Sequence, residues 1–164
     1  MSSIDKTELK SKALGMVARR SLTRKELKDR LKKFESNTEI VLEIVDEFES
    51  KGFIDEAGII EEKILLGKES KLYGRRRIKL ELMRRGLQPE IIDDSIEQLF
   101  PLDDEIDVAF KFAIRKLNSM GDVKGIKRYR RIASALQRRG FQGELISRTL
   151  ERAGISRFDG DSVN

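Results

Sequence analysis

The chain has 164 residues, 38% of them hydrophobic and 38% charged, so each element can offer only a narrow apolar stripe, which suits thin helical layers of small modules better than one thick core. Histidine and cysteine are both absent, which removes the usual general base, the thiol nucleophile, the nitrogen and sulfur metal ligands and any disulfide framework. The net charge of +5 permits a polyanionic partner without requiring one.

No Walker loop, GxSxG elbow or GxGxxG turn occurs, so neither an enzyme nor a cofactor is expected; a carboxylate pair or a Lys nucleophile remains as a remote alternative, the former as a hydrolase. The N-terminal stretch mixes acids and lysines without a signal-peptide core, and no run approaches about 18 apolar residues. A cytoplasmic protein without a membrane segment is the expectation.

Proline occurs only at Pro89 and Pro101, and no stretch alternates for strand length, so the fold class is all-α. In chain order, helices are expected at residues 7–20, 23–34, 38–50, 55–71, 74–85, 89–99, 103–119, 124–139 and 143–153. Thr23 and Glu26 have the spacing of a capping box that opens the second helix. Gly52, Gly86, Gly140 and Gly154 each follow an amphipathic run, where a left-handed residue ends a helix. The tail 157–164 has little to bury and is expected to fray.

Residues 76–88 align without gaps on 130–142, with eight of thirteen positions identical, and a weaker copy lies 51 residues before the first of these. The spacing predicts three tandem three-helix repeats, elongated in outline, with domains 1–54, 55–101 and 102–164. Ile78 with Leu82, and Ile132 with Leu136, have the i, i+4 spacing of core residues.

The middle helices are basic and the third ones acidic. Residues 71–85 hold seven bases against Glu81 alone, 124–139 hold seven with no acid, and 39–50 hold five acids with no base. At about 100° per residue, Arg76, Arg77 and Arg84 fall opposite Ile78, and Lys127, Arg130, Arg131 and Arg138 opposite Ile132. These seven are the candidate partner-binding residues. Six are arginines, whose planar fork pairs with carboxylate or phosphate, whereas solubility would be served equally by lysine. In the first repeat the matching positions mix Lys25 and Lys33 with Glu26 and Asp29, a weaker anion surface. The target is either nucleic-acid phosphate or an acidic protein groove. Phe110, Phe112, Met83 and Met120 read as packing residues, and Asp103, Asp104, Glu105 and Asp107 as acids complementing a helix dipole rather than a metal site.

The run from Leu72 through Tyr73, Gly74 and Arg75–Arg77 to Arg84, Arg85, Gly86 and Leu87 resembles the central signature of the RecX regulatory family. Gly52, Phe53, Ile54 and Asp55 are similar to that family's junction after the first repeat, and Leu136–Phe141 to its third-repeat ending. Ile59 and Ile60 depart from the aromatic–Ala pair usual after the junction, although both remain apolar. The resemblance implies a protein that binds the RecA recombinase filament along its helical groove and modulates it, mainly as an inhibitor of ATP hydrolysis, strand exchange and repressor cleavage in DNA repair and the SOS response. The basic face fits such a groove, where acidic side chains and DNA phosphates are both within reach, and the dispersed charge without a large exposed apolar run points to a monomer. The alternative is an independent nucleic-acid-binding helical module using its repeated basic helices.

Overall fold

The computed structural model describes residues 5–158, so the tail at 159–164, where fraying is expected, lies outside the described residues. Within them there are nine α-helices and no strand: α1 Lys6–Arg19, α2 Arg24–Leu31, α3 Thr38–Ser50, α4 Glu56–Leu66, α5 Arg75–Arg84, α6 Pro89–Leu99, α7 Leu102–Asn118, α8 Gly125–Arg138 and α9 Gly143–Arg152. The all-α expectation holds, and seven helices lie within about two residues of their expected ends. The larger of the two departures is α4, where the expected helix 55–71 becomes an α-helix followed by a π-helical turn, Gly67–Lys71, ending at Leu72 with φ 51°. Leu72 is a buried non-glycine residue in the left-handed region. The second helix also ends early, at Leu31 rather than 34.

Local signals account for the ends. The Thr23 hydroxyl accepts the Glu26 N–H and the Glu26 carboxylate accepts the Thr23 N–H, the reciprocal pair that satisfies two orphan donors. Gly52, Gly86, Gly140 and Gly154 all have positive φ after their helices.

The chain divides into two compact units, Met1–Glu62 with Leu82–Ile92, and Lys63–Glu81 with Asp93–Asn164. The first buries Leu9, Leu27, Leu31, Val41, Ile44 and Phe48 between α1, α2 and α3. The second buries Ala109, Ala113, Ile132, Leu136, Phe141 and Leu150 between α7, α8 and α9. Ile59 and Ile60, the departures from the family pattern, are 3% and 1% exposed and serve as core residues.

Each unit contains the same joint. In the first, the Thr23 hydroxyl donates to the carbonyl of Arg85 at 2.7 Å; in the second, the N–H of Gly74, the position 51 residues later, donates to the carbonyl of Arg139 at 2.8 Å. The start of a middle helix thus meets the end of the next middle helix, so orphan carbonyls at a helix C-terminus find donors. A carboxylate from the helix that follows completes the joint: Glu56 accepts the Arg24 N–H at 2.9 Å, and Glu105 accepts the Arg75 N–H at 2.8 Å.

Candidate partner-binding surface

The joints decide which basic residues are tied down within the fold and which are not. Arg24 pairs with Asp46 and Glu49 of α3, and Arg75, its counterpart, pairs with Glu97 of α6. Arg85 forks onto Glu26 through Nε and Nη2 at 3.0 and 2.9 Å, and Nη2 also donates to the Ser21 carbonyl. Arg139 donates to the Lys71 carbonyl and lies over the rings of Tyr73 and Phe112, 5.4 and 4.7 Å from their centres. Lys79 is held by Asp93 at 2.7 Å. Of each Arg-Arg-Gly ending, the second arginine is therefore folded into the joint and the first, Arg84 or Arg138, is left exposed.

Electrostatics follow this geometry. Burial pushes the Glu26 carboxyl up, but hydrogen bonds from Arg85 and the Thr23 N–H outweigh it and hold the group below the ordinary carboxylate value. Glu81 behaves alike: burial raises it, and hydrogen bonds from Lys63 and Arg77 outweigh that and lower it. Glu105 goes the other way, because it is 7% exposed and its burial outweighs the Arg75 N–H and the Arg75 charge, leaving its pKa raised.

Of the seven candidate residues, Arg76, Arg84, Lys127, Arg130, Arg131 and Arg138 are exposed, and none of these six makes an ion pair or hydrogen bond through its own side chain to another described residue. Arg77 departs from its expected outward placement. It is half-buried, pairs with Glu81 at 2.9 Å, sits 3.9 Å above the Tyr73 ring and donates to the Arg138 carbonyl at 3.3 Å, so it belongs to the joint of the second unit. Arg84 lies in the first compact unit; Arg76, Lys127, Arg130, Arg131 and Arg138 lie in the second. In the first repeat, Lys25 is paired with Asp29 at 2.7 Å.

Other expectations resolve differently. Phe112 and Met120 pack against the core of the second unit, whereas Met83, expected as a packing residue, is 39% exposed. The carboxylates near the start of α7 divide among separate partners, Lys68 for Asp104, the Arg75 N–H for Glu105 and Arg152 for Asp107. Among the described residues no group of three or more carboxylates is placed to hold a metal ion, and no helix is long and apolar enough to cross a membrane.

Fold and surface together define the class: an all-helical protein of small helical modules with an arginine-rich exterior. The family model described as the third three-helix domain of RecX matches residues 103–150, and the regulatory protein RecX of Caldanaerobacter subterraneus subsp. tengcongensis is 30% identical over 151 residues, covering 90% of this chain and 71% of that one. The chain belongs to the RecX family of regulatory proteins. A further relative of that name, from Chlorobium limicola, is 26% identical and covered over 93% of both chains. The crystal structure of RecX from Lactobacillus salivarius superposes with a TM-score of 0.80 at 19% identity, covering 92% of this chain and 97% of that one, a likeness of fold.

Proposed function

We propose that this chain, as a cytoplasmic monomer, binds the RecA–DNA filament and modulates it, mainly by inhibiting ATP hydrolysis, strand exchange and the filament's co-protease activity. Membership of a family of regulatory proteins supports a regulatory role, and the observation that carries the contact is the set of exposed, unpartnered bases, five of the six being arginine. A solvated surface gains nothing from arginine over lysine at these positions, whereas Arg75, Arg77, Arg85 and Arg139 are each tied down within their own unit. A partner that supplies carboxylates or phosphates gains bidentate, charge-assisted hydrogen bonds from the same residues.

Adding the protein to pre-formed RecA–DNA filaments tests the reading. ATP hydrolysis or strand exchange should change at or below stoichiometric ratios, and no change at saturating protein with an active filament control contradicts it. The second reading, a module that binds nucleic acid by itself, predicts tight binding to bare DNA with a steep salt slope, about −0.9 per phosphate contact on duplex. Sub-micromolar affinity for bare DNA with no effect on the filament favours that second reading.

A further inference from the structure

The second compact unit carries an open cavity of about 520 Å³, within the size range of ligand pockets. Its lining mixes aliphatic, basic and acidic side chains. Leu102 at the start of α7, 51% exposed, lies with Ile106 and Leu145 as an aliphatic lining, while Arg76 and Arg148 supply exposed positive charge. Neither arginine has an intramolecular partner among the described residues. A neighbouring cavity of about 360 Å³ shares Arg76, Gln142 and Gly143 with the first and adds Ser134 and Gln137 of α8. These two α8 residues fall on the same helical face as Arg130 and Arg138, so the cavities border the basic surface.

We infer that the larger cavity receives an apolar side chain of a partner protein whose flanking carboxylates pair with Arg76 and Arg148, that is, an acidic, amphipathic peptide segment. This rests on the filament-binding reading above and assigns this part of the contact to protein rather than to phosphate. Three features favour a peptide over a nucleic-acid strand. No aromatic ring lines the larger cavity among the described residues, so an unstacked base would find no platform. The aliphatic lining gains only from an apolar group that displaces water. Glu105 and Glu144, which also line it, would repel a continuous phosphodiester, whereas a peptide can place an uncharged residue against them.

The test is an amide NMR titration of the full chain with a blocked peptide, Asp-Glu-Leu-Phe-Asp-Glu, beside the same peptide with serine in place of Leu and Phe, and hexathymidylate. The expected result is shifts centred on Gly143, Leu145 and Arg148 with the first peptide, binding weaker by about tenfold or more for the other two, and a similar loss on Arg148→Glu or Leu102→Asp. Both positions are exposed, and an otherwise unchanged spectrum verifies the fold of each variant. Absence of shifts at these residues up to about 1 mM peptide overturns the inference, as does equal binding of the serine peptide or of hexathymidylate. The same preparation assayed on RecA filaments separates the two claims: filament inhibition without peptide binding removes the cavity alone, and loss of both removes the filament reading as well.

Discussion

At the scale of single residues, paired arginines differ in what they should cost. Arg77→Ala removes a stacked, ion-paired and hydrogen-bonded side chain and should lower stability by about 1 kcal/mol in urea unfolding, since a partly exposed ion pair and a cation–π contact each contribute about 0.5–1 kcal/mol with incomplete additivity. Arg76→Ala, one residue away but exposed, should stay within about 0.5 kcal/mol. Equal costs would show that the joint does not depend on Arg77. Glu105 gives a second test, with a definite sign. Its folded pKa is raised, so its contribution to stability is fully present below the unfolded pKa and is lost as pH rises through the folded value. Glu105→Gln keeps an oxygen that accepts the Arg75 N–H and removes the buried charge, so it should match or exceed the parent at neutral pH, with the advantage vanishing below the carboxylate range. Glu105→Ala should instead destabilise by about 1–3 kcal/mol, leaving the N–H unpaired. A glutamine variant less stable than the parent at neutral pH would show that the charge itself is needed. Glu26 has the opposite sign: with its pKa depressed, its stabilisation is present above the unfolded value and lost as pH falls through the folded one, so acid unfolding should be shallower in Glu26→Gln.

At the scale of elements, the joints make glycine substitutions unequal. A Cβ on Gly140 would lie 2.5 Å from the Arg77 Cβ and 2.6 Å from its backbone nitrogen, whereas one on Gly154 meets nothing within 4 Å. Both have positive φ, so both alanine variants bear the left-handed penalty of about 1–2 kcal/mol, and only Gly140→Ala should also part the joint and cost clearly more in urea unfolding. Equal losses would mean the approach of α8 to Arg77 is not tight. Helix positions and ends were legible in the sequence because caps, glycines and apolar spacing are local signals. Segregation of charge between middle and third helices was legible too, but its meaning was not. Asp46 and Glu97 lie 22 residues beyond Arg24 and Arg75, and only the fold brings each pair together. Helical periodicity alone puts Arg77 outward, because it describes one helix at a time; what claims Arg77 is Tyr73 before the helix and the end of α8, 61 residues on. A trace of the joint was present in the sequence nonetheless, since Arg-Arg-Gly recurs at the ends of two middle helices and the second arginine of each pair is the one taken up.

At the scale of the whole molecule, the division into repeats 1–54, 55–101 and 102–164 is proposed as one of sequence rather than of independent folding. Thr23 and Glu26 find their partner at Arg85, and Arg24 finds Glu56, so a fragment ending at residue 54 lacks both. Such a fragment is also near the size at which a lone core becomes marginal. It should show weak helicity and no cooperative melt by circular dichroism, and a sharp transition in that fragment would show that the repeats fold alone. Function at this scale reduces to whether the six unpartnered basic residues meet the filament. The most direct measurement is RecA ATP hydrolysis on pre-formed filaments with the parent chain, with a variant carrying alanine at Arg76, Arg84, Lys127, Arg130, Arg131 and Arg138, and with Lys25 and Lys33 replaced as a control. Truncating one side of a desolvated charge pair costs about 2–5 kcal/mol, so the six-site variant, still folded, should need at least about tenfold more protein for the same effect, while the control stays close to the parent. Unchanged inhibition with all six removed, or equal loss in the control, would show that the exposed arginines are only a solvated surface.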